Sequence, residues 1–463
     1  GPGIGEWAQH RSKFGDASWS ICGITHTTAS TRAMDAIAQL LTTPVQPWDA
    51  LICTSRAVKD NVSRILNTEA EYLKRRLGAS CIRLPELPII PLGIHTEDFT
   101  RSKSSILKAR QQLNIQQEDI VVLFVGRLSF HGKAHPLVMY QALERASGAT
   151  GRKVILVECG WHANESIQSA FADASDAACP SVRRILLDGR DPDQLAMSWA
   201  CADIFCSLSD NIQETFGITP IEAMAAGLPV VVTDWDGYRD TVRDGVDGFR
   251  VPTYMPPPGF GEELASRHAL GIDNYDMYCA HASSLVAVDL EYTTQAFIRL
   301  ISSNELRQSM GAQGRQRALS VYDWKAIIPK YQSLWSALKS RRDVESKSVH
   351  QPYSLSSRLD PFYGFASYPT KKISLKSLLR LSDSESNIAI RRFRQLIKLD
   401  MVDYVSNRMA SQHQLESMIM KLGTGSATAE NLILDSSDND AEKQKLFLSI
   451  VWMIKLGLIE MVR

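Results

Sequence analysis

Two carboxylates with seven residues between them, Glu214 and Glu222, bracket the segment Glu214-Thr215-Phe216-Gly217-Ile218-Thr219-Pro220-Ile221-Glu222. Its residue types spell a loop running into a helix. Thr219, Pro220 and Glu222 stand in the order of an N-cap, a first-turn proline and an N3 glutamate, a capping box. Gly227 then suits the end of that helix and Pro229 the opening of the next strand. A loop at such a strand-to-helix turn presents unpaired backbone N–H groups at the positive end of the helix dipole. Gly217, lacking a Cβ, lets a phosphate come close to the backbone. The chemistry written here is anion binding.

A second element is Val125-Gly126-Arg127-Leu128, followed by Lys133. Arginine offers a planar fork for phosphate oxygens and lysine a mobile point charge. If the strands are parallel, Arg127, Lys133 and the Glu214–Ile218 loop share one rim of a sheet, and together they describe a diphosphate pocket.

Parallel strands are what the surrounding pattern predicts. Apolar runs at Ile120–Val125, Lys153–Glu158, Arg183–Leu187, Asp203–Ser207, Pro229–Thr233 and Gly248–Val251 lack the alternation of a half-exposed sheet and read as buried strands. Helical stretches separate them: Pro136–Ser147, Glu165–Ala174, Pro192–Ala202, Pro220–Ala226 and Tyr238–Arg243. Strand and helix in alternation give a parallel sheet covered on both faces, with ligands beyond the carboxyl ends of its strands. The first hundred residues repeat the pattern in short form. Ser18–Gly23, Ala50–Thr54 and Cys81–Leu84 read as strands, with helices near Thr31–Leu41 and Val58–Leu73. Three strands leave an edge and an apolar face open, so the expectation is that an earlier segment or another protein completes this domain. Gly1–Gly5 follows no strand and adds little to a glycine-loop reading.

The expected fold class is therefore α/β, with domains at 1–115 and 116–339, a polar linker at 340–369 that includes Ser340–Ser357, and a mostly helical accessory module at 370–463. Lysine plus arginine and aspartate plus glutamate each number 51, which excludes a chain-wide electrostatic footprint for nucleic acid. The eight cysteines form no C-x-x-C pair and read as reduced thiols of a cytoplasmic protein. No apolar run reaches the roughly 18 residues that span a bilayer; Leu446–Ile459 is too short and carries Lys455, so membrane association is expected to be at most peripheral.

The second-domain motif resembles that of the retaining glycosyltransferases of family 4, enzymes with two facing Rossmann-like domains (the GT-B fold). Their pattern E-x-F-G-x-x-x-x-E-A-M-A-x-G-x-P is matched at every fixed position, through Glu222-Ala223-Met224-Ala225, Gly227 and Pro229. The G-R-L-x-x-x-K element matches as well, with Lys133 one residue further along. The likeness covers roughly Ser18 to Tyr331 and is thinner in the first domain. It implies a nucleoside diphosphate sugar as donor, a hydroxyl acceptor (a glycan, a lipid-linked glycan or a protein), and no cofactor or metal. It also implies that Arg127 and Lys133 hold the diphosphate, that the amides of Phe216, Gly217 and Ile218 complete the cradle, that Glu222 takes the ribose hydroxyls, and that Glu214 faces the sugar. His26, in Gly23-Ile24-Thr25-His26, falls at the family's active-site histidine; Ser55 matches a position to which no role is assigned. The chain departs from the family's G-G-x-x-E turn, reading Asp234-Trp235-Asp236-Gly237-Tyr238-Arg239-Asp240, so the identity of the sugar does not carry over.

Each residue also has a plainer reading. Glu222 alone is a helix cap, His26 alone a hydrogen-bonded loop residue among threonines, His131 and His135 loop decoration, and Trp235 a buried ring. Asp234 and Asp236 invite a metal but have no further ligands near them in the sequence. The nine basic residues between Lys371 and Arg408 read as a solvated helical surface, with an anionic partner as the alternative. Two other functions fit the same pocket: an epimerase or phosphorylase of nucleotide sugars, and a non-catalytic scaffold that binds them.

Overall fold

In the computed structural model the described residues are 1–345, 358–434 and 439–462. They divide into two units, 1–357 and 358–463.

The first unit opens with α1 (Ile4–Arg11), then β1 (Cys22–Ile24), α2 (Thr31–Ala38), β2 (Ala50–Ile52) and α3 (Arg56–Leu77). Strands β1 and β2 pair in parallel. The strand expected at Cys81–Leu84 does not form. Pairing with β2 falls instead on Glu86 and Ile89, in parallel bridges to Ala50 and Cys53. Pro85 and Pro88 lack the N–H a regular ladder needs, which holds this edge to isolated contacts such as Leu51 N–H to the Glu86 carbonyl at 2.8 Å. The apolar face expected to stand open is covered from within the chain. Ala50, Ile52 and Ile90 pack against Ile327, Leu334 and Leu338 of the helix Trp324–Glu345. The other face packs Leu51 and Cys53 on Ile4, Ile37, Val58 and Val62.

Helix α4 (Lys103–Gln112) leads into the second domain: β3 (Ile120–Val125), α5 (Leu137–Thr150), β4 (Val154–Gly160), α6 (Glu165–Ala178), β5 (Arg183–Asp188), α7 (Pro192–Cys201), β6 (Ile204–Ser207), α8 (Ile218–Ala225), β7 (Val230–Thr233), α9 (Tyr238–Thr241) and β8 (Gly248–Val251). All six strands are parallel, in the order β5-β4-β3-β6-β7-β8. Strand β3 explains the missing alternation. Val121, Leu123 and Val125 enter one core and Ile120, Val122 and Phe124 the other, all buried. The α/β class is as expected. The order also supplies something periodicity could not: the chain runs outward from β3 through β4 to β5, then returns to β6 on the other side of β3. This reversal opens a crevice between the carboxyl ends of β3 and β6.

Beyond β8, β9 (Thr253–Tyr254) and β10 (Ala287–Val288) pair antiparallel at the base of an excursion carrying the helices Glu262–Ala269 and Tyr275–Ser283. The stretch read as a linker from residue 340 begins inside the helix that ends at Glu345; residues 346–357 lie outside the described ones, and Pro361–Gly364 form a helical turn.

The second unit is mostly helical, but a three-stranded sheet joins its helices: β11 (Leu378–Leu381) lies between β12 (Ala427–Thr428) and β13 (Ile459–Met461). Its core gathers Leu379, Phe393, Met418, Ile450 and Met453. The apolar run at Leu446–Ile459 lies largely within the helix Asp440–Lys455, with Leu446, Ile450 and Met453 buried. Among the described residues no helix is long and apolar enough to cross a membrane. In the basic stretch, Arg380 pairs with Glu460, Arg392 with Asp383 and Arg394 with Glu416, which leaves less net positive charge than the sequence count suggests.

Candidate functional site

The crevice between β3 and β6 is where the sequence motifs meet. Gly126 and Arg127 follow β3 directly, and Lys133 lies in the loop before α5. Residues 208–217 link β6 to α8 and carry Glu214. The Lys133 ammonium pairs with the Glu214 carboxylate, both largely buried. The Arg127 guanidinium donates to the Gly132 carbonyl at 3.3 Å and to Gln213 Oε1 at 3.2 Å. The two loops are also joined through the backbone: Ser209 Oγ donates to the Lys133 carbonyl at 3.3 Å and Asn211 Nδ2 to that of His131 at 2.9 Å.

Glu214 lies in a balance that favours its charge. Burial alone would raise its carboxyl; the Lys133 ammonium and the backbone N–H groups of Thr215 and Phe216 outweigh it and hold the group below its ordinary value. Phe216 is buried and Ile218 exposed.

The capping box expected at Thr219 and Glu222 is not formed. Helix α8 starts two residues early, behind Gly217 at φ 79°, and no side chain caps it. Thr219 Oγ1 is buried without a hydrogen-bond partner among the described residues. The left-handed glycine takes the place a capping side chain would occupy, so the first amides of α8 stay free of side-chain acceptors and Glu222, the fifth residue of α8, is not committed to a cap. Glu222 is half-buried, and burial pushes its carboxyl up to about 7.

Gly217 is required sterically as well. A Cβ there would come within 1.8 Å of Cε1 of Tyr238, whose hydroxyl meets Ser207 Oγ at 2.9 Å in a fully buried position. Gly217→Ala is therefore expected to lower stability by roughly 2–3 kcal/mol, from overpacking and the left-handed backbone together. Urea unfolding checks this, and a midpoint equal to wild type contradicts the packing described.

The first domain reaches the same loops. Thr215 Oγ1 donates to the His26 carbonyl at 2.7 Å, and Thr54 Oγ1 donates to the Thr215 carbonyl at 3.3 Å. The backbone of His26 thus lies against the Glu214 loop, with its side chain exposed. Ser55 accepts from Val58 N–H at 3.2 Å as the N-cap of α3 and donates to Asp236 Oδ1 at 3.3 Å. Arg56 holds Asp240 through both its backbone N–H and Nε, each at 2.7 Å.

Sequence reasoning passed over Gln213 and Tyr275. Tyr275 comes from the excursion after β8; its hydroxyl lies 3.3 Å from Gln213 Oε1 and 3.4 Å from Thr27 Oγ1, next to His26. Nothing in its spacing announces this, because only the tertiary fold brings residue 275 to residue 213. Trp235, read as a buried ring, is half-buried and donates from Nε1 to the Asn211 carbonyl at 3.1 Å. His131 and His135 make local contacts within their loop. No group of three or more His, Cys, Asp or Glu side chains suited to a metal occurs among the described residues. All eight thiols are free, with Cys22 and Cys81 exposed and the other six buried.

Residues 105–263 match the family model described as glycosyl transferases group 1, a stretch that includes Arg127, Lys133, Glu214 and Glu222. Among curated proteins, the chain is 26% identical to the lipopolysaccharide 1,2-N-acetylglucosaminetransferase of Salmonella typhimurium, over 42% of this chain and 50% of that protein. It is 30% identical to the D-inositol 3-phosphate glycosyltransferase of Corynebacterium aurimucosum, over 51% of this chain and 55% of the relative. The chain thus spans about half the length of the curated relatives it matches. Among solved structures, sucrose-phosphate synthase from Thermosynechococcus elongatus aligns with a TM-score of 0.45 at 19% identity, covering 69% of this chain and 68% of that one. The Anabaena protein HepE in complex with UDP and glucose aligns at 0.47 and 16% identity, covering 68% and 71%.

Proposed function

We propose that this protein is a glycosyltransferase that moves a sugar from a nucleoside diphosphate sugar to a hydroxyl acceptor, with retention at the anomeric carbon. One observation carries the reading: two cationic side chains and the uncapped amino terminus of α8 converge on the crevice between β3 and β6, within the stretch that matches the family model. In the reaction the bond from the anomeric carbon to the diphosphate oxygen breaks, the acceptor oxygen bonds to that carbon, and the acceptor proton passes to the departing phosphate. The barrier is set largely by charge building on the leaving group, so fixed donors aimed at it are the chief catalytic asset. Arg127, Lys133 and the first amides of α8 supply them with no metal required. Glu214 is engaged by Lys133 rather than free as a nucleophile, so transfer with retention would run on one face of the sugar, without a covalent glycosyl intermediate. His26 faces sugar or acceptor from the first domain.

Donor consumption followed with and without a panel of hydroxyl acceptors tests this. The expected result is sugar transfer that needs an acceptor. Isomerised donor recovered without acceptor, phosphate-dependent cleavage, or donor binding with no turnover in any arm would contradict it.

Glu222 adds a pH dependence with a definite sign. A ribose diol donates two hydrogen bonds best to an ionised carboxylate, and burial delays that ionisation to about 7. Donor affinity should therefore rise as pH increases through 7, and Glu222→Gln should weaken binding and flatten the profile. The same shift bears on stability: a carboxyl raised in the folded state stabilises fully below its unfolded value, and that contribution is lost as pH climbs through 7. Glu222→Gln should thus melt higher than wild type at pH 8 and near it at pH 4; a titration calorimetry series and paired melts read both.

A further inference from the structure

The turn after β7 carries a side chain that the reading above leaves unused. Asp236 has φ 41°, one of two non-glycine residues with positive φ among the described residues. An L-residue holds that backbone at a cost, tolerated where the surroundings impose it. Its surroundings are those of the crevice. Oδ1 accepts from Ser55 of the first domain at 3.3 Å. Gly237 packs so tightly under the Glu214 loop that a Cβ would lie 2.4 Å from the Phe216 Cα. Oδ2 is buried and has no hydrogen-bond partner among the described residues. A buried carboxyl oxygen without a partner is rare in a folded protein and calls for a donor or acceptor brought from outside. Burial, and next the nearby charge of Glu214, push this carboxyl up to about 8, so near neutral pH it offers a proton as well as a lone pair. Glu214 stays ionised beside Lys133. One charged and one neutral carboxyl thus stand in the same cleft.

We propose that Asp236 is a specificity-determining residue for the transferred sugar, forming a hydrogen bond between its unpartnered Oδ2 and one ring hydroxyl of a sugar seated against the Glu214 loop. This rests on the glycosyltransferase reading and adds the group that reads the sugar. Its ligand is a polyhydroxylated ring carried on a nucleoside diphosphate. A polar pocket built for a hydroxyl rejects an analogue lacking that hydroxyl far more strongly than an apolar pocket rejects an added one.

The test compares full-length wild type, Asp236→Asn and Asp236→Gly by calorimetry with UDP, GDP and ADP, and with the glucose, galactose and mannose forms of whichever nucleotide binds. Glycine suits the left-handed turn, so Asp236→Gly should melt no lower than wild type. Expected is an unchanged affinity for the bare nucleoside diphosphate in all three proteins. The preferred nucleotide sugar should lose about tenfold or more in Asp236→Gly, with preference among the three sugars flattened, while Asp236→Asn, still able to donate and accept, keeps most of the preference. Equal loss for nucleotide and nucleotide sugar would show that Asp236 only shapes the turn, and unchanged preference would show that it reads nothing; either overturns the proposal. Absence of nucleotide binding by wild type would remove the glycosyltransferase reading and this inference together, an outcome distinct from the other two.

Discussion

Replacing Arg127 and Lys133 together by alanine is expected to reduce sugar transfer by at least about 10³-fold, since removing a single preorganised donor from a developing anion costs roughly 10² to 10³. The mutant should keep its fold. Arg127 is exposed and bonded to Gln213 and Gly132, so its loss opens no cavity. Lys133 has a second consequence. Its removal leaves Glu214 largely buried with no cation, and burial then raises the carboxyl that Lys133 now holds down. In the wild type, a depressed Glu214 stabilises the fold above its unfolded value and loses that contribution as pH falls. The lysine variant should therefore lose stability chiefly at neutral and alkaline pH and approach wild type in acid. Lys133→Arg, keeping the charge, separates the electrostatic loss from mere disturbance of the loop. Turnover near wild type in the double mutant would contradict the assigned role.

A loss of about 3–5 kcal/mol is expected for Asp49→Ala, the range for breaking a buried ion pair by removing one partner. Arg11 and Asp49 are both fully buried, joined by two hydrogen bonds of 2.6 and 2.8 Å. Asp49 also accepts from the Ile21 and Gln46 N–H groups, each at 2.8 Å. It therefore ties the start of β1 to the start of β2, and β1 leads straight to the loop bearing His26. Two apolar replacements at once, Arg11→Met with Asp49→Leu, should recover part of the loss, because no charge is then stranded. Urea unfolding of the full chain reads the difference; a double mutant worse than either single one would refute the pairing argument.

How far the sequence spoke depended on whether the deciding interactions were local. The six strands of the second domain were legible within one or two residues, because both faces of a parallel sheet are buried and leave uninterrupted apolar runs. Helix α2 with the tight turn Gln39–Leu41 covers the stretch expected there. Local reasoning failed where a distant segment decided the outcome. The face of β2 looked open because the helix that covers it lies about 280 residues onward. Glu86 and Ile89 became the third edge in place of Cys81–Leu84 because β2 offers its hydrogen bonds there. The α8 terminus went the other way. Its composition satisfied a capping box, yet Gly217 started the helix early and freed both the amides and Glu222. The motif does lie at the strand-to-helix turn after β6, as its residue types predict, but the helix begins ahead of the expected cap. Tyr275 and Gln213 meet through the excursion after β8, and Asp236 gained its partner from Ser55 in the other domain.

The most direct measurement is a crystal structure with the nucleoside diphosphate that most raises the melting temperature, since a ligand bound only to the native state stabilises it. Its distal phosphate is expected within hydrogen-bonding reach of Lys133 Nζ, Arg127 and the first amides of α8, with Glu222 against the ribose. A diphosphate seated elsewhere, with the Lys133–Glu214 pair and the α8 terminus untouched, would contradict this.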